Sequence, residues 1–165
     1  SLITHHMLMK RIILIGIGQK LRGDDAIGPE VVQAWERQHP ESAKHVRVEI
    51  SQLPGLELLG LFGDAEIAIL VDAVQGGGAA GTVHVTGLDN VVSFGAGSGS
   101  VHGFGVAETL ALGRQVDPES IPKTVIIIGI EALQMDIGKP ISKEVQASIP
   151  QAISSIQEIV LQHKT

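Results

Sequence analysis

The sequence contains no cysteine. That removes disulfides, thiolate metal sites and cysteine nucleophiles together, and it suits a reducing compartment, so the cytoplasm is the expected location. Basic clusters are missing too: 12 Lys and Arg stand against 18 Asp and Glu, for a net charge of −6. Nothing here would draw a phosphate backbone, so nucleic acid is not an expected partner. No long polar tract interrupts a chain that is 44% hydrophobic and 18% charged, which disfavours disorder. The apolar run "IILIGIG" is too short to span a membrane; "GQKLRGDD" ends it with no small-residue cleavage site, so it is neither signal peptide nor membrane span. Three catalytic signatures are absent as well. There is no G-x-S-x-G elbow and no H-E-x-x-H, and "GIGQKLRG" misses G-x-G-x-x-G because its last glycine comes two residues late.

What remains is the pattern of a layered α/β chain. At 165 residues a chain buries roughly 68–70% of its unfolded surface, enough for one core without staples. A single domain over 7–165 is expected, with residues 1–6 of "SLITHHMLMK" read as cloning residue ahead of a native start at Met7 or Met9. Continuous apolar, β-branched runs at 11–18, 66–74 and 123–131 predict strands buried on both faces. The alternating stretch 45–51 predicts a fourth. "GTVHVTG" (81–87) also alternates, but only a short glycine-rich loop separates it from the strand before. A parallel crossover needs about a dozen residues, so this strand should run antiparallel at an edge. Helices are expected at 29–39, 55–63, 104–115 and, unbroken, 142–163, with Ser142 as N-cap of the last. The order β-α-β-α-β-β-α-β-α gives a three-layer α/β/α sandwich around a mostly parallel five-stranded sheet with one antiparallel edge strand. Residues 88–101, small and glycine-rich, read as a long loop of the kind that is usually functional or disordered.

In such sheets the ligand crevice lies beyond the carboxyl ends of the strands. "GIGQKLRGDDAIG" follows the first strand there. From Gly18 to Gly23 it keeps P-loop spacing, but Asp24 and Asp25 stand where that motif carries Lys and Ser or Thr. Such a loop would repel a phosphate and attract a cation. Asp72 closes the strand "AILVDAV", and His102 opens the helix after the glycine-rich loop. Two carboxylates and an imidazole from three loops make a ligand set for a divalent metal with open positions. Each has a plainer reading. Asp25 would serve equally as the cap of the following helix, Asp72 could be satisfied by backbone amides, and His102 could be a solvated loop histidine. Glu131, at the same rim, is either a supporting group or a loop carboxylate. His84, on the edge strand, is expected to face solvent or a helix and is assigned no chemistry.

The segments "GIGQKLRGDDAIGPEVV", "ILVDAVQGG", "SVHGFGVAETLAL" and "IIIGIEALQMDIGKPIS", in that order, resemble the hydrogenase maturation proteases, over nearly the whole chain. The resemblance implies a monomeric α/β/α endopeptidase that removes a C-terminal peptide from a [NiFe]-hydrogenase large-subunit precursor after nickel insertion. It implies that Asp25, Asp72 and His102 bind the metal, and Asp24 and Glu131 are candidate supporting groups. The metal either polarises the scissile carbonyl or activates a water, with Asp25 or Asp72 accepting a proton, or it only docks the substrate while Asp25 or Asp72 does the acid/base work. The nickel would arrive with the substrate, and another divalent ion can take its place in vitro. Gln19, Gly103 and Ala132 depart from residues frequent in the family. Two other classes of function compete: a metal-binding chaperone or scaffold that does not cleave, and a nucleotide-binding protein, which Asp24 and Asp25 argue against.

Overall fold

The computed structural model describes residues 10–52, 55–88 and 105–164. Strand β1 (Ile12–Ile17) leads through a 3-10 turn (Gly23–Ala26) into helix α1 (Ile27–Gln38) and the single turn α2 (Pro40–Ala43). Then come β2 (Val46–Ser51), α3 (Glu57–Leu61), β3 (Ile67–Val74), β4 (Val83–Gly87) and α4 (Val106–Val116). The chain closes with β5 (Thr124–Glu131), α5 (Lys143–Gln146) and α6 (Ile149–Gln162). The strands lie in the order β2-β1-β3-β5-β4, and only β4 is antiparallel, at the edge against β5. The short β3–β4 connection allows no other direction.

Alternation along the strands sorts their side chains into two cores. Leu14, Ile69, Val71, Ile128 and Ile130 pack against Trp35 and the valines of α1 and against Ile153, Ile156 and Val160 of α6. On the other face Ile13, Ile15, Leu70 and Ile127 pack against Leu58 and Phe62, at α3, and Leu110 of α4. Helices thus cover both faces, which is why β1 and β3 are apolar at nearly every position. One expectation fails: 142–163 is two helices. Pro150 has no N–H to give and its ring would strike the carbonyl four residues back, so α5 stops at Gln146 and α6 begins afresh at Ile149. Ser142 holds the N-cap position of α5 with extended backbone, but its hydroxyl caps nothing.

From β1 the chain crosses to β2 on one side, then returns to β3 on the other, so β1 and β3 form a topological switch point. There α1 comes down onto the sheet without side chains between. A Cβ on Gly16 would lie 2.7 Å from the carbonyl oxygen of Gly28, and one on Gly28 would collide with the carbonyls of Ile17 and Val71. This glycine pair seats the start of α1 on the carboxyl ends of β1 and β3.

Candidate active site

Asp25 and Asp72 both lie at that switch point. Asp25 lies on the 3-10 turn, which packs against β3, and its backbone fits there because Gly18 opposite it adopts φ +145°; a Cβ on Gly18 would drive into the Asp25 carbonyl. Asp72 follows Val71, whose carbonyl touches Gly28, and pairs in register with Gly129. Both carboxylates are sealed from solvent, at 0% and 2% exposure. Capping does not explain Asp25, since Ala26 is the N-cap residue of α1 and no side chain caps it. Its Oδ2 instead accepts the N–H of Gln19 at 3.0 Å, turning the carboxylate back toward the loop after β1.

Asp24, next in the chain, does something different. Its Oδ2 accepts the N–H groups of Leu133 (2.8 Å) and Gln134 (3.1 Å) and the hydroxyl of Ser142 (2.9 Å), and its Oδ1 accepts the Ser142 N–H at 2.6 Å. Backbone bonds add to the joint: Asp24 N–H donates to Gln134 O, Gly23 N–H to Lys139 O and Gly138 N–H to Leu21 O. Asp24 therefore stitches the turn bearing Asp25 to the loop after β5. This is where the Ser142 hydroxyl went, and spacing alone could not reveal a partner 118 residues away.

Glu131 ends β5 at the same rim, 2% exposed. Its Oε2 accepts the N–H of Gly76 at 2.9 Å, and its Oε1 lies 3.0 Å from His84 Nε2. His84 is thus half-buried on a carboxylate rather than idle, correcting the expectation that it faces solvent or a helix. The register explains the pairing. Asp72, Gly129 and His84 form one row across β3, β5 and β4, so their side-chain directions share a face, and Glu131, two residues beyond Gly129, shares it too. Strand alternation could have exposed this relation once β4 was placed beside β5.

His102 lies outside the described residues; the described chain resumes at Gly105, just before α4, which runs toward the amino end of β5. Among the described residues no three His, Asp or Glu side chains gather as a metal site, so the described part of the candidate set is the pair Asp25 and Asp72. Glu131 and Asp24 are occupied with loops. No described helix is long and apolar enough to cross a membrane.

The family model for HycI, hydrogenase maturation protease, matches residues 29–159, which takes in Asp72 and Glu131 and begins just after the Asp24–Asp25 loop. The Hydrogenase 2 maturation protease of Escherichia coli (strain K12) is 29% identical over 151 residues, 88% of each chain. The hydrogenase expression/formation protein HupD of Thiocapsa roseopersicina is 29% identical over 153 residues, 92% of this chain and 68% of that one. Among solved structures, the hydrogenase maturating endopeptidase HybD from E. coli superposes with a TM-score of 0.77 at 24% identity, over 92% of this chain and 93% of that one. The [NiFe] hydrogenase maturation protease HybD from Thermococcus kodakarensis gives 0.74 at 20% identity, over 91% and 99%. These two likenesses speak for the fold, and the family match speaks for the activity: the chain belongs to the hydrogenase maturation protease family and is a hydrolase of peptide bonds.

Proposed function

We propose that this protease removes the C-terminal peptide of a [NiFe]-hydrogenase large-subunit precursor once nickel has been inserted, and that it recognises that nickel through Asp25, Asp72 and His102. The observation that carries the reading is the placement of two sealed carboxylates, 47 positions apart in sequence (72 − 25), at one switch point, on elements joined by backbone-to-backbone glycine packing. Carboxylate oxygens and an imidazole suit a borderline divalent ion such as nickel. Brought in by the substrate, the ion would place the scissile region against the rim and lower the barrier to attack on a nearby carbonyl. In this reading Asp25 or Asp72 takes up and returns the proton of the attacking water. Gln19 N–H fixes one oxygen of Asp25, leaving its orientation set before substrate arrives. In this reading the chain acts as a monomer.

The test is incubation with nickel-loaded and nickel-free precursor, followed by mass spectrometry of the large subunit. Loss of the C-terminal peptide from the loaded form alone is expected, and Asp25→Ala, Asp72→Ala or His102→Ala should each abolish it while the far-ultraviolet circular dichroism of the protease stays unchanged. Equal cleavage of both forms would remove the role of nickel; retained cleavage by the variants would remove the site.

A further inference from the structure

Resting on that reading, we propose that Glu131 is a positioning residue which holds the β3–β4 loop in the shape against which an extended stretch of the precursor chain is laid. The loop, residues 75–82, leaves β3 three positions beyond Asp72, at the rim where the substrate must lie. Residues 75–79 are exposed, and "GGG" at 76–78 offers backbone without side chains, so a polypeptide can come close to it. Left to itself, such a run would sample many conformations, because glycine carries the largest backbone entropy.

Glu131 removes that freedom from three directions. Its carboxylate accepts the Gly76 N–H, its own carbonyl accepts the Gly81 N–H at 2.8 Å, and its own N–H donates to Thr82 O at 2.9 Å. Gly78 lies directly on it: a Cβ there would sit 3.2 Å from Oε1. The same Oε1 engages His84, which ties the edge strand to the bolt. At the far end Gly81, at φ +87°, is pressed on the carbonyl of Glu144 so closely that a Cβ would collide. One buried residue thus holds both ends of an exposed loop that begins beside Asp72, the Gly76 end by its side chain and the Gly81–Thr82 end by its backbone. A side chain serving only the core has no need to reach out to an exposed glycine amide. Glutamine keeps an acceptor of the same reach; alanine keeps none.

If the freed loop adopted the held shape about one-tenth of the time, apparent affinity for the precursor would fall about tenfold while the chemical step, once bound, was unchanged. The experiment measures kcat and KM for the nickel-loaded precursor in the wild type, Glu131→Ala, Glu131→Gln and Gly76→Pro, and precursor binding by calorimetry in the same four proteins. Gly76→Pro removes the one loop N–H from an exposed position, so it serves should Glu131→Ala fail to fold. The expected result is a KM and dissociation constant about tenfold higher in Glu131→Ala and in Gly76→Pro, with kcat within about twofold of wild type and the Gln variant close to wild type in both. Hydrogen exchange at Gly76 should quicken in Glu131→Ala and not in Glu131→Gln, while Gly81, bonded to the backbone carbonyl of residue 131, serves as the internal reference. Unchanged KM and binding in both loop-releasing variants overturn the proposal, as does a fall in kcat alone. If the wild type binds precursor without cutting it and the variants bind more weakly, the proteolytic reading fails and the loop's role stands. A wild type that does neither overturns both.

Discussion

Replacing Asp24 by Asn changes one atom, yet it should cost more than almost any other isosteric substitution in this chain. Every group facing the Asp24 carboxylate is a donor: three backbone N–H groups and the Ser142 hydroxyl. An amide must turn its NH2 toward one oxygen's partners. Turned to the Oδ1 side, it meets the Ser142 N–H; turned to the Oδ2 side, it meets two N–H groups, so the first is the cheaper arrangement. That loses one bond to a carboxylate, worth about 1.5–3 kcal/mol, and leaves a backbone donor without its acceptor in a site with 0% exposure. With the other bonds weakened, about 3 kcal/mol is expected, and for a chain of this size each kcal/mol lowers Tm by about 2–4 °C. Thermal unfolding followed by circular dichroism should therefore shift down by about 6–12 °C. Asp25→Asn, one residue away, should shift it far less while removing processing altogether, because that carboxylate is assigned to chemistry. A Tm change under about 2 °C for Asp24→Asn, or equal losses of stability in the two variants, would refute the division of labour between these neighbours.

Gly28→Ala should separate α1 from the rim, since its methyl collides with the carbonyls of Ile17 and Val71; processing and thermal stability are expected to fall together, and an active, stable variant would show that the glycine seat does not hold Asp25 in place. Trp35→Phe removes the indole N–H that donates to Gln157 Oε1 at 3.0 Å from a fully buried position. A loss of about 2 kcal/mol is expected from that bond and the smaller ring, read from urea denaturation by circular dichroism, with processing intact. As the only tryptophan, Trp35 also makes the wild type's own fluorescence a report on the α1–α6 core.

The sheet was legible in the sequence because strand burial is written in local runs: "IILIGI" and "IAILVDAV" are covered on both faces, and the short loop before "VHVTG" dictated its direction. The position of Asp72 came with its strand. What escaped depended on partners distant in sequence. Ser142 has the residue type of a cap, but Asp24 outcompetes the helix end for its hydroxyl. His84 shows only alternation until β4 is laid beside β5 and Glu131 comes within reach. Pro150 was the exception, a local signal that ends the helix although the apolar stripe runs past it. Three of the five candidate residues sit in the first 72 positions, yet the bonds that sort ligand from brace cross more than a hundred residues.

That last span bears on how the enzyme comes into being. The turn bearing Asp25 is finished only when Gln134, Lys139 and Ser142 have arrived to receive and supply its bonds. A chain emerging from the ribosome would carry its acidic pair through most of synthesis without the brace that aims it, and proteolytic competence would switch on only as the carboxyl-terminal fifth docks.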